Sequence, residues 1–224
     1  LYASGTFDAR NRFLSAKHGY NFGTGLPWQT AFANMLEQLL IPDGGGITIN
    51  HPHWSGLTDE NIAEMLDFDP RVLGIEVFNQ SCGRVGKAWS EEHWDRVLAT
   101  GRQCFGFFVP DHATTEGVNV LLVKEKTAAD CLRAYRLGNW YGAIKGSGLR
   151  FQKIACDGKV LTVECDRDAN IQIISKLGVV AEKQASALTF PITEPAQHVY
   201  LRTKATAVDD SGEILFSQPF MMTP

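Results

Sequence analysis

Three short apolar segments of the chain are each followed by side chains that can carry chemistry. Imidazole and carboxylate groups are able to transfer protons or bind metal ions, and a neighbouring amide can orient them. The side chains are His51 and His53 after residues 47–49, Glu76 and Asn79 in and after residues 72–78, and Asp111 and His112 after residues 104–109. This repetition predicts one site to which three segments contribute.

The segment His51-Pro52-His53 alone is weak support for a site, because histidines often serve as buried hydrogen-bonding groups. That structural alternative stays open for each histidine. The same placement at the end of three successive apolar segments favours the functional interpretation.

Each of the three segments has the composition of a buried strand. Glycines at 44–46 allow a tight turn before the first strand, and residues 47–49 favour β structure. Pro52 ends the strand because it has no N–H to donate to a neighbouring strand. Apolar residues at helical spacing occur near residues 27–40, 58–66, 90–101 and 127–138, and Thr58 and Thr127 are the expected capping residues of the second and fourth of these helices. Residues 118–123 have the composition of a further strand. Alternating strands and helices predict a mostly parallel sheet with right-handed crossovers, which would bring the polar groups to its carboxyl edge.

The pattern changes at about Gly148, where helical spacing stops. Short apolar runs then alternate with turn residues such as Asp157-Gly158, as in a small antiparallel sheet or sandwich. We therefore expect two units, an α/β unit in residues 1–147 and a small β-sandwich-like domain in residues 148–224.

Composition and charge argue against several classes of partner. The 224 residues carry a net charge of −4 and no basic run, so nucleic acid is not an expected partner. The apolar stretches are too short to span a bilayer, so no membrane partner is expected. The odd number of five cysteines fits reduced thiols and a cytoplasmic location. The chain begins at Leu1 rather than Met, which suggests that residues are missing upstream, and its oligomeric state stays open.

The strand-end motifs share a sequence pattern as well as a position. Residues 45–52 read Gly-Gly-Ile-Thr-Ile-Asn-His-Pro, residues 74–79 read Gly-Ile-Glu-Val-Phe-Asn, and residues 106–112 end in Asp-His. In this order and spacing they resemble the later motifs of the PHP superfamily, the polymerase and histidinol phosphatase metal-dependent phosphoesterases. Residues 138–141 and 200–219 are similar to a turn and to an appended β domain of some members, so the resemblance covers about residues 27–224.

The resemblance implies the C-terminal portion of a distorted (β/α)7 PHP-type barrel followed by a small antiparallel β domain. It also implies divalent metal ions, Zn, Mn or Fe, at the carboxyl edge, where a metal-activated hydroxide would hydrolyse a small phosphoester. The metal ligands are then expected at His51, Asp111 and His112. The expected catalytic residues are Glu76 and Asn79, which would hold those ligands or shape the pocket, and His53, a weaker candidate for a ligand.

The chain departs from the family pattern in two places. The His-x-His motif of the family's first strands has no match before residue 27, so the N-terminal strands of the barrel are expected to be absent. The final Asp-x-His motif stands here as Asp111-His112, and His112 could turn either toward a metal or outward. A degenerate member that binds or regulates without catalysis is therefore the alternative function.

Overall fold

The computed structural model describes residues 27–112, 116–145 and 148–222. In chain order, its first elements are α1 (Trp28–Leu36), β1 (Ile47–Ile49), α2 (Pro52–Ser55), α3 (Asp59–Phe68), β2 (Val72–Asn79), a 3-10 helix (Ser81–Val85), α4 (Glu91–Leu98) and β3 (Phe105–Val109). The remaining elements are β4 (Val118–Leu121), α5 (Ala128–Leu137), β5 (Trp140–Ile144), β6 (Phe151–Cys156), β7 (Val160–Ser175), β8 (Gly178–Pro191), α6 (Pro195–His198), β9 (Tyr200–Ala207), β10 (Ile214–Ser217) and β11 (Phe220–Met221). No helix within the described ranges is long and apolar enough to cross a membrane.

A parallel sheet of three strands, in the order β1-β2-β3, occupies the first part of the chain. Its central strand β2 is buried along its whole length, as its apolar sequence predicted. Helix α4 packs closely on one face, where a Cβ added to Gly106 would lie 2.7 Å from the Trp94 ring. Helix α3 begins at the expected cap, because the Thr58 side chain accepts from the Asn61 backbone and the Asn61 side chain accepts in return from the Thr58 backbone.

A second, antiparallel sheet of eight strands contains the rest of the β structure. Its order is β4-β5-β10-β9-β7-β6, with β8 pairing on β7 and β11 on β9. The strands β4 and β5 precede the boundary expected between residues 147 and 148, whereas the other six follow it. This sheet therefore runs across that boundary. The ring of Phe216 in β10 stacks on Phe108 in β3 at 4.7 Å, so the two sheets share part of one core.

The predicted fold class, the C-terminal portion of a distorted (β/α)7 PHP-type barrel followed by a small β domain, is wrong. Of the described residues, 40% lie in strands and 26% in helices, and most of the strands belong to the antiparallel sheet. The segment that should have supplied a further parallel strand is β4, and it pairs antiparallel with β5 instead.

Two amide side chains give the physical reason why the parallel sheet ends at β3. The backbone N–H of Gly106 donates to Gln218 Oε1 at 2.9 Å, and Gln218 Nε2 donates to the Gly106 carbonyl at 3.0 Å. The backbone N–H of Phe108 donates to Asn119 Oδ1 at 3.0 Å. Asn119 of β4 and Gln218, which lies between β10 and β11, thus satisfy groups on β3 that a fourth parallel strand would have used.

The long strand β8 forms an outer edge of the antiparallel sheet, since it pairs with β7 alone among the described strands. Lys183, near its middle, lies directly opposite Ile171 of β7. Opposed residues of an antiparallel pair project from the same face of the sheet. The Lys183 side chain therefore projects from the same face as Ile171, which is fully buried.

Candidate functional site at the carboxyl edge of the parallel sheet

His51 lies between the end of β1 and the start of α2, with its backbone in the left-handed region at φ 33°. A residue other than glycine is uncommon there, and surrounding contacts must hold it. The His51 N–H donates to Glu76 Oε2 at 2.8 Å, and its carbonyl accepts from the Ser55 N–H at 3.0 Å. The ring nitrogen Nδ1 lies 3.0 Å from Ser55 Oγ. Backbone and ring are therefore both fixed.

Glu76 projects from the buried strand β2 and is only 7% exposed. Its Oε2 atom accepts from the His51 N–H and, at 2.9 Å, from Asn79 Nδ2. Burial raises the pKa of this carboxyl to about 7, the two hydrogen bonds oppose the rise, and the negative charge of Asp111 adds to it. Glu76 is thus a carboxyl group that changes charge near neutral pH.

Asn79, the last residue of β2, connects the carboxylates of two neighbouring strands. Its Nδ2 group donates to Glu76 Oε2 at 2.9 Å and to Asp111 Oδ2 at 3.3 Å. Its own Oδ1 accepts from the Cys82 N–H at 3.1 Å, which fixes the orientation of the amide. Asp111, which follows β3 and Pro110, has a backbone φ of 54° and a side chain that is 15% exposed. One amide therefore holds both carboxylates at the same edge.

The other two predicted histidines lie outside this cluster. The His112 side chain is 85% exposed, although its Nε2 is 3.5 Å from Asp111 Oδ1. His53 is exposed, and its Nδ1 lies 3.0 Å from the carbonyl oxygen of Trp89. The structure therefore brings His51, Glu76, Asn79 and Asp111 together, sets His112 beside Asp111 in solvent, and turns His53 toward Trp89. His112 is exposed but stays beside Asp111.

Sequence reasoning missed Ser55 and Trp54, which both contact the His51 ring. Trp54 packs against it at a centroid distance of 5.0 Å in an edge-on arrangement. Pro52 directly after His51 was a usable signal, because proline at the first helical position predicts a turn that brings residue 55 back to residue 51.

A cavity of about 580 Å³ between α1, α3 and α4 contains none of these residues. Trp28 and Phe68 contribute to its walls, and α3 adds several carboxylates, among them Glu60 and Glu64. Arg102 also lines it. The cavity is therefore separate from the cluster at the carboxyl edge.

The cluster contains imidazole and carboxylate groups, which are types of ligand that bind divalent metal ions. The His51 ring and the Asp111 carboxylate each have a hydrogen-bonding partner that fixes them, as metal ligands usually do. Across the three described ranges, however, no group of three His, Cys, Asp or Glu residues is arranged to hold a metal ion. The described residues thus offer two supported donors, with His112 beside one of them.

Comparisons with protein-family models, with curated proteins and with solved structures found no match to this chain. The geometry of the cluster is therefore the basis on which a function can be proposed.

Proposed function

We propose that the protein is a metal-dependent hydrolase of a small phosphoester and that the cluster at the carboxyl edge is its active site. The observation that carries the proposal is the chain of hydrogen bonds from the His51 backbone through Glu76 and Asn79 to Asp111. It joins the ends of three parallel strands, where α/β proteins place ligands. Two of its members, His51 and Asp111, also have left-handed backbone, which is frequent at functional sites.

Asp111 and His51 would hold the metal, which we expect to be Zn, Mn or Fe, and His112 could join them by rotating its exposed side chain. When bound, the metal would supply Lewis-acid chemistry, polarising a phosphoryl oxygen and acidifying water. Glu76 fixes the His51 backbone, and Asn79 fixes the Asp111 carboxylate. Both residues orient the ligands rather than bind the substrate.

The test measures metal content and turnover of an aryl phosphate on the intact protein. Asp111→Asn keeps an oxygen that can accept from Asn79 but removes the charge, so it should lose metal and activity together, as should His51→Ala. Glu76→Gln should keep metal but lose activity by about 10–100-fold, as is usual when a supporting group changes.

The matched control is Glu164→Gln, because Glu164 lies on β7 and forms a surface ion pair with Lys153 at 3.5 Å. It should match the wild type in metal content and turnover. The proposal is wrong if His51→Ala and Asp111→Asn also match the wild type in both measurements.

The exposure of His112 favours a second candidate, a degenerate module that binds a partner or regulates without catalysis. On this alternative the ligand set is one short, and His112→Ala changes nothing. Under the hydrolase proposal the same substitution lowers metal content. If the intact wild-type protein takes up no metal and hydrolyses no phosphoester, the result favours the binding or regulatory module.

A further inference from the structure

The cavity of about 580 Å³ between α1, α3 and α4 combines an apolar wall with an acidic rim. Phe68, Ala63 and Val97 belong to the wall, and the carboxylates of Glu60 and Glu64 belong to the rim. We propose that this cavity binds a small organic monocation, with its apolar body against Phe68 and its charged group beside Glu64. The proposal is independent of the proposed hydrolase, because none of the described residues that line the cavity belongs to the cluster at the carboxyl edge.

Helix α3 places the acidic and the aromatic side chains on one face. Glu60, Glu64 and Phe68 follow one another at intervals of four residues, so their side chains are neighbours along the helix. Ala63 also lines the cavity, and its single methyl group takes up little of the space. Two like charges four residues apart repel each other, and a cation bound beside them removes that cost.

The one guanidinium among the described residues of the cavity wall is already engaged. Arg102 donates to both carboxylate oxygens of Asp67, at 2.8 Å each, and its Nη1 donates to Thr100 Oγ1 at 2.9 Å. An anionic ligand would have to displace Asp67 from this two-point contact. The Arg102 charge therefore balances Asp67 and does not attract an anion into the cavity.

The carboxylates at the other end of α3 differ in their partners. Asp59 forms an ion pair with Arg96, whereas in the described parts of the chain no Lys, Arg or His forms one with Glu60 or Glu64. Hydrogen bonds from its own backbone and from the Thr58 side chain hold the pKa of Glu60 below its usual value, so this carboxylate is charged at neutral pH. The rim thus attracts a positively charged ligand.

The aromatic wall favours an organic cation over an inorganic one. Phe68 is 36% exposed, and its ring packs edge-on against that of Trp28 at a centroid distance of 5.4 Å. The face of an aromatic ring attracts positive charge and also packs against apolar groups. A metal ion would need several converging ligands instead, and the described residues form no such group.

The test compares two probes of similar shape, benzyltrimethylammonium and neutral benzyl alcohol, by the amide shifts they cause in ¹H–¹⁵N spectra of the intact protein. The cation should bind about 3–30-fold more tightly than the alcohol, shift the amides of α3, and bind more weakly at high salt. Glu64→Gln and Phe68→Leu should each weaken binding of the cation by about 2–5-fold. Both positions are exposed, so both variants should fold.

The control variant is Glu125→Gln, at an exposed glutamate before α5 that does not line the cavity. It should bind the cation as the wild type does. The inference is overturned if the two probes bind with equal affinity, if the shifted amides lie away from the cavity, or if Glu64→Gln and Phe68→Leu both match the control. None of these outcomes depends on whether the protein hydrolyses a phosphoester.

Discussion

Replacing Gln218 by methionine tests whether two side-chain hydrogen bonds hold the parallel sheet to the antiparallel one. Gln218 is 7% exposed and contacts both backbone polar groups of Gly106, at 2.9 and 3.0 Å. Methionine has nearly the same volume and flexibility, so the substitution removes the amide without opening a large cavity. The N–H and carbonyl of Gly106 would then lie buried without their partner.

The expected cost follows from the number of groups left unpaired. Each buried polar group that loses its partner costs about 1–3 kcal/mol, so two of them should lower the free energy of unfolding by about 2–6 kcal/mol. A domain of ordinary stability has about 5–15 kcal/mol in total. The substitution should therefore remove a large share of the stability, although Gln218 lies in no regular strand or helix.

Urea denaturation followed by tryptophan fluorescence measures this change, because Trp94 is fully buried between α4 and the parallel sheet. Gln184→Met, at an exposed position of β8, is the matched control and should change stability by less than about 0.5 kcal/mol. If Gln218→Met is destabilised no more than this control, the two hydrogen bonds do not seal the β3 edge, and the reason given for the end of the parallel sheet is wrong.

Three further outcomes are expected. In metal-free protein the free energy of unfolding should fall as the pH rises from 4.5 to about 7, by about 3 kcal/mol at most. The reason is that burial raises the pKa of Glu76 in the folded protein to about 7, whereas the pKa of the unfolded carboxyl stays at 4.5. Glu76→Gln should flatten that part of the pH profile, and an unchanged profile would contradict the raised pKa. Gly142→Ala should destabilise by about 1–3 kcal/mol in thermal unfolding, because its Cβ would lie 1.9 Å from the Phe108 ring. Gly83→Ala is the control for that crowding and should cost clearly less, because its Cβ would lie 3.7 Å from the Cβ of Ala88. Arg202→Leu should cost at most about 3 kcal/mol by urea denaturation, because it removes a guanidinium 1% exposed that pairs with Glu91 and Asp95, while Glu91 keeps Lys204 and Asp95 keeps the Tyr200 hydroxyl. A change within about 0.5 kcal/mol would show that the Arg202 ion pairs contribute nothing.

The local features of the parallel sheet could be predicted from sequence because they depend on neighbouring residues. Apolar runs defined β1, β2 and β3, and the residue after each run placed His51, Asn79 and Asp111 at one edge. Thr58 and Thr127 also cap helices where the sequence placed them, each by accepting from a backbone N–H three residues on.

The fold class could not be predicted, because the contacts that decide it join distant parts of the chain. Gln218 and Gly106 are 112 residues apart, and no local pattern indicates that this glutamine pairs with a strand edge. The run containing Val118 has the composition of a parallel strand, yet it pairs with β5 in the opposite direction. Strand direction depends on the partner, and a single sequence does not identify that partner.

The lysine on the outer strand β8 has a consequence for how the protein behaves at high concentration. A bare strand edge of 14 residues would recruit the edge of another molecule and grow into an aggregate. Because Lys183 projects on the side that carries the buried Ile171, an added strand would have to cover an ammonium group and strip it of water. Lys183 thus works against β8 acting as a template for another strand.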